Sequence, residues 1–214
     1  MICYEGTDIN QCNNKAVDNQ LTYALHGNCY VNLTNRCTLR CSFCPKFNKQ
    51  WSIRGYHLRL SEEPTTNQVL ESIGDVGQFQ EIVFCGLGEP TLSLTSLLDI
   101  AEAVHGGARV RLNTDGLGNL VHGMDITPML ANRIDAISVS LNAQAESIYD
   151  RHCRPPQTGT YPAILDFVAC AQEHIDDITL TAIDGLEGVD INACKEIADK
   201  LNVNFRTRSL NIVG

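Results

Sequence analysis

Ala136-Ile137-Ser138-Val139-Ser140-Leu141-Asn142 alternates apolar with small polar side chains at period two. Successive side chains of a strand point to opposite faces, so one face here is apolar and the other carries Ser138, Ser140 and Asn142. Comparable strands stand at 81–85, 109–114, 177–183 and 203–208, and helices are expected between them at 94–105, 127–132, 145–151, 161–174 and 192–201. Strands that alternate with helices imply a parallel sheet with right-handed crossovers. With a strand at 29–33 the count is six. Eight such units close a barrel, so six predict an α/β fold: an open (βα)6 partial TIM barrel with parallel strands.

The same alternation assigns the faces of two further strands. Val203 and Phe205 turn toward the helices, which points Arg206 and Arg208 inward, and Arg111 and Asn113 point inward by the same rule. A closed barrel of this type is packed with Val, Ile and Leu. Buried polar groups are costly without partners, so an interior polar on three strands is expected to hold water or a polar ligand. Any one of these residues could instead serve a local hydrogen bond or ion pair.

Upstream, 21–25 and 29–33 read as a hairpin with Gly27 and Asn28 in its turn. Its second strand delivers Cys37-Thr38-Leu39-Arg40-Cys41-Ser42-Phe43-Cys44. Thiolates are the ligands that soft iron and zinc prefer. A protein-held [4Fe–4S] cluster ordinarily takes four of them, and three would leave one iron open, the mark of a catalytic rather than a structural metal site. A zinc loop is the alternative, with Cys29, His57 or Cys85 as fourth ligand. Of the remaining thiols, Cys170 and Cys194 fall on helical apolar faces and read as small core residues, and Cys153 reads as an inert or a radical-handling thiol.

The chain has 214 residues, 43% of them hydrophobic, and a net charge of −9. The length suits one core, divided into a polar arm at 1–20 and a barrel domain at 21–214. The acidic balance argues against a large nucleic acid as partner. No segment is apolar enough to span a bilayer and no signal-peptide pattern is seen. Ten cysteines without such a signal read as reduced thiols, so the expected location is cytoplasmic. Residues 45–61 are irregular, with Trp51, Tyr56 and 57–60 suited to a flap, and a helix capped by a threonine is expected near 64–66.

In α/β folds ligands bind beyond the carboxyl ends of strands. There the sequence places Gly86-Leu87-Gly88-Glu89-Pro90, Asn113-Thr114-Asp115-Gly116, and Arg151-His152-Cys153-Arg154-Pro155-Pro156. Glycines allow close backbone approach. The arginine loop could bind an anion or end a helix favourably for its dipole.

The spacing Cys37-x3-Cys41-x2-Cys44, with Phe43 before the third cysteine, resembles the signature of the radical S-adenosylmethionine (SAM) superfamily. The resemblance implies that Cys37, Cys41 and Cys44 hold a [4Fe–4S] cluster whose open iron is chelated by SAM. Electron transfer then splits the sulfonium, giving a 5′-deoxyadenosyl radical that abstracts hydrogen. It implies that the backbone near Phe43 lies by the adenine and that Gly88 and Glu89 receive the methionine ammonium, although Leu87-Gly88 replaces the usual glycine pair. It implies roles for Asn113, Ser138 and Ser140 at the ribose and carboxylate, and for Arg111 at SAM's carboxylate or an anionic substrate. Arg154, Arg206, Arg208 and His122 are substrate candidates. An electron donor such as flavodoxin or ferredoxin is implied.

From 21 to 208 the order of motifs resembles one branch, the TatD-linked or TatD-associated radical SAM proteins, whose name defines no reaction. Two other enzyme readings stay open: a radical activase acting on a partner protein, and a 7-carboxy-7-deazaguanine synthase-like enzyme acting on a small heterocycle. The reading outside enzymes is a zinc or iron–sulfur binding module.

Overall fold

A computed structural model describes residues 19–47 and 50–210. The arm expected at 1–20, with Cys3 and Cys12, lies outside the described residues except for Asn19 and Gln20. Strands β1 (Thr22–Leu25) and β2 (Asn28–Val31) form the expected hairpin. Its turn is made by His26 (φ 53°) and Gly27 (φ 81°), and not by Gly27 and Asn28, because Asn28 already pairs with Leu25. Positive φ at both central residues matches the right-handed twist of the flanking strands. The flap is a small hairpin of β3 (Ser52–Ile53) and β4 (Tyr56–His57). Ile53 and Leu58 bury against Tyr23 and Leu87 in a minor apolar cluster.

Helix α1 (Thr66–Ile73) starts at Thr65, whose hydroxyl accepts the N–H of Gln68 while Gln68 returns a side-chain acceptor to Thr65, a reciprocal cap. There follow β5 (Glu81–Phe84), α2 (Leu94–Val104) and β6 (Arg109–Thr114). Next come α3 (Gly118–His122), α4 (Thr127–Leu130), β7 (Ala136–Ser140), α5 (Glu146–Cys153), α6 (Thr160–Ala171), β8 (Asp177–Asp184), α7 (Ile191–Lys200) and β9 (Asn204–Ser209). Helix α3 was not expected. It has five residues and Gly118 and Gly123 at its ends, too short to show a period.

The main sheet has the order β1-β2-β5-β6-β7-β8-β9, antiparallel at β1 and parallel throughout the rest. The six parallel strands follow one another in chain order and do not close, as the alternation predicts. Ile137 and Val139 of the opening stretch join Val110, Leu112, Ile178 and Leu180 in the core between sheet and helices. Val203 and Phe205 pack against that core at its edge. Cys194 belongs to it, whereas Cys170 is only half-buried and is not one of its core residues. No helix among the described residues is long and apolar enough to cross a membrane.

Candidate active site

The loop at 37–44 leaves the carboxyl end of β2 and is fixed from three sides. Leu39 is buried in the main core. The Thr38 hydroxyl donates to the Asp115 carboxylate just beyond β6. Arg40 and Ser42 donate their N–H groups to the carbonyls of Cys153 (3.0 Å) and His152 (2.8 Å) at the end of α5. The Glu89 N–H donates to the Arg36 carbonyl at 2.8 Å, which ties in the end of β5. Cys37 is exposed as a residue; Cys41 and Cys44 are half-buried.

All three sulfurs are held as thiols. Protein around the Cys37 sulfur, then the Asp115 charge, pushes it up to about 12. Cys41 is raised by its hydrogen bond with Cys153 and then by burial, and Cys44 by burial. Metal ligation needs thiolates, so loading this loop releases protons.

No three Cys, His, Asp or Glu side chains among the described residues lie close enough to hold one metal ion. Of the proposed fourth zinc ligands, Cys29 is buried in the helix-side core and His57 is exposed on the flap. A cluster binds its thiolates at separate corners and requires less convergence than a single ion. Its donor set is present: three thiols share one loop, and a thiolate formed at Cys41 would raise both Cys37 and Cys44.

Gly88 and Glu89 brace this loop. A Cβ on Gly88 would lie 2.0 Å from the Thr34 carbonyl oxygen and 2.6 Å from that of Arg36, so only glycine lets the two backbones meet. Glu89 is buried. Its carboxylate accepts from Thr91 N (3.1 Å), Thr91 Oγ1 (2.8 Å), Thr114 Oγ1 (2.8 Å) and Asp115 N (2.8 Å). Those four donors fix the position of the carboxyl group. Asp115 is the residue that sequence reasoning missed. It is 7% exposed, accepts from Thr38 and from Leu117 N at 3.0 Å, and neighbours Cys37. The signal was there: an acid directly after a strand end that carries other polar groups.

Below the loop the lumen is polar, as the alternation requires. Arg208 donates through Nη2 to Asn142 Oδ1 at 2.9 Å, and Asn142 donates to Cys153 Sγ at 3.6 Å. Asn113 bonds Cys85, whose thiol is raised by burial. Asn113 Oδ1 and Arg208 Nε are buried without a partner, which suits a polar ligand in this space. Ser140 is half-buried on the same face, and Ser138 is buried there and lines the cavity at the amino-terminal end of the strands. Phe43 packs against the main core.

Four candidates lie elsewhere. Arg111 pairs with Glu81 at 2.6 Å in the amino-terminal half of the sheet, and Arg206 lines the cavity there. Arg154 is exposed and caps α5 with φ 50°. His122 Nε2 bonds the Thr91 carbonyl at 2.8 Å, joining α3 to the turn after Glu89.

A loop of three thiols at the carboxyl mouth of an open parallel barrel, above a polar lumen, defines the class. A family model described as the radical SAM superfamily matches residues 31–201, and the chain belongs to that superfamily. It is therefore an enzyme of the radical SAM class. The chain is 26% identical over 146 residues to the GTP 3′,8-cyclase of Streptomyces coelicolor; the match covers 67% of this chain and 40% of that protein. It thus spans less than half of this curated relative. Among solved structures it is similar in fold to TYW1 with a lysine-pyruvate adduct bound (TM-score 0.59, 15% identity, 88% of this chain and 67% of that one). It is also similar in fold to methylornithine synthase PylB (TM-score 0.56, 15% identity, 86% and 53%).

Proposed function

We propose that the chain is a radical SAM enzyme of the TatD-associated branch, cytoplasmic and reduced by a flavodoxin or ferredoxin, with Cys37, Cys41 and Cys44 holding a [4Fe–4S] cluster. The observation that carries this reading is the three-thiol loop fixed by the ends of β5, β6 and α5. When bound, the cluster and SAM supply a 5′-deoxyadenosyl radical for hydrogen abstraction. The chain's own residues do the rest. Asn113, Ser138 and Ser140 offer polar contacts to SAM along the lumen. Phe43 shapes the loop's inner side. Gly88 and Glu89 act by positioning, since they join the segment before Cys37 to the loop that carries Asp115. The substrate is unassigned; a small heterocycle of the 7-carboxy-7-deazaguanine type is one option.

The test is anaerobic. The protein is reconstituted with iron and sulfide, reduced and given SAM, and 5′-deoxyadenosine is measured. Product that disappears in Cys41→Ala supports the reading. A Cys41→Ala protein with full turnover, or a wild-type protein that binds zinc and no cluster, rejects it.

One observation favours the second reading, a radical activase. Leu120, Val121, Met124 and Met129 are each exposed within the short stretch of chain that forms α3, α4 and their connection. Adjacent exposed apolar side chains mark interaction surfaces. A Met124→Glu variant that abolishes activity on a protein substrate while sparing uncoupled SAM cleavage would support it.

A further inference from the structure

The amino-terminal mouth of the barrel holds a cavity of about 480 Å³. Its walls include the first residues of five successive strands: Glu81, Arg109, Ala136, Asp177 and Asn204. The cysteine loop stands at the opposite mouth, because it follows the end of β2, which runs parallel to β5. The volume is that of a small-molecule site and too small for a macromolecule's bulk.

The charges around this space are unequally satisfied. Arg109 pairs with Asp177, and Arg111 pairs with Glu81 at 2.6 Å, with Asn28 also donating to Glu81 at 3.3 Å. Two arginines are thereby neutralised. Arg206 also lines the cavity and has no carboxylate partner among the described residues. Arg208 stands two residues further along the same face of β9, toward the cysteine loop. It reaches only the neutral Asn142, and its Nε is buried without a partner. Two like charges side by side in a partly dry lumen repel each other; an anion between them relieves this and meets the free donors.

We infer that the lumen seats a small-molecule substrate bearing a carboxylate or phosphate, with the anionic group on Arg206 and Arg208 and the rest of the molecule directed toward the cysteine loop. That the ligand is a substrate rests on the radical SAM reading; that an anion binds does not.

The test is calorimetric titration of the anaerobically reconstituted full chain with inorganic phosphate and with malonate. Saturable binding is expected. Arg206→Gln and Arg208→Gln should each weaken it by about tenfold or more, the scale of one lost charge-assisted contact. Arg133→Gln, on the outer surface beside Glu102, should change nothing. Circular dichroism checks the fold of each variant, and Arg206 is exposed enough to be replaced safely. Tighter phosphate indicates a phosphorylated substrate, and tighter malonate a carboxylate. The wild-type protein before reconstitution should bind the anion as the reconstituted protein does, so loss of the cluster reading leaves this result standing. No saturable binding of either anion, or equal affinity in Arg206→Gln, overturns the inference. So does a SAM affinity that falls in Arg206→Gln while anion binding persists, since Arg206 would then serve SAM.

Discussion

Glu89 accepts the backbone N–H of Asp115 at 2.8 Å, and the two carboxyls are buried together, 3% and 7% exposed. Burial raises both above the usual carboxylate range, and the Asp115 charge raises Glu89 further. The native state therefore binds protons more tightly here than the unfolded chain does. This contribution to stability is complete below the unfolded carboxyl value, near 4, and is lost as pH rises through the folded values. Urea unfolding of the metal-free protein should show stability falling from mildly acidic pH to neutrality. Glu89→Gln should flatten that fall, and should cost about 1–3 kcal/mol at acid pH because Gln cannot accept from all four donors. Equal slopes in the two proteins would show that the pair does not titrate in this range.

Gly88 has no room for a side chain. The atoms a Cβ would strike, 2.0 and 2.6 Å away, are carbonyl oxygens of Thr34 and Arg36, on the segment that leads into Cys37. Backbone cannot rotate aside as a side chain can, so the cost should reach or exceed about 3 kcal/mol. Gly88→Ala should fold poorly or lose iron after reconstitution. A soluble variant with wild-type melting and full iron content would mean that the two backbones separate freely.

Cys153 is buried and bonded to Cys41, yet it stands outside the three-cysteine loop. Its replacement by alanine should leave iron and sulfide content unchanged and cost about 1 kcal/mol of stability. The Cys41 thiol is raised first by its hydrogen bond with Cys153. In the metal-free Cys153→Ala protein Cys41 should therefore be alkylated faster at neutral pH, which peptide mapping can follow. Loss of iron would instead make Cys153 a cluster ligand.

The sheet was legible because its information is periodic. Ser138 and Arg206 alternate with Val139 and Phe205, so the strand faces could be assigned without coordinates, and the helices between strands fixed parallel order. The cysteine loop was legible from spacing. What the sequence does not carry is which inward groups satisfy one another. Arg111, Arg206 and Arg208 look alike in the chain, but Glu81, 30 residues before Arg111, neutralises only that one. Asp115 gained its importance from Thr38 and Glu89, brought to it by strand pairing. The four donors that hold the Glu89 carboxyl come from Thr91, Thr114 and Asp115, and its motif does not disclose the last two. The turn of the first hairpin slipped by one residue because His26 tolerates positive φ there, a choice that composition alone does not decide.

Arg111 and Glu81 have side chains 15% and 18% exposed and meet at 2.6 Å. The expected role at SAM's carboxylate and the observed ion pair make different predictions for the same substitutions. A half-buried pair loses most when one member is removed, since the other charge stays behind poorly solvated. Arg111→Met should therefore cost about 2 kcal/mol or more. Glu81→Gln should cost less, because the amide keeps an oxygen for Asn28 Nδ2. The double variant should recover much of the loss of Arg111→Met, a coupling that urea unfolding measures directly. SAM affinity of the reconstituted double variant separates the roles. If it matches wild type, Arg111 is a brace for the amino-terminal mouth, and the cationic contacts to ligand fall to Arg206 and Arg208. If it drops about tenfold while stability is recovered, Arg111 reaches SAM in the loaded enzyme and the ion pair with Glu81 must open when SAM binds.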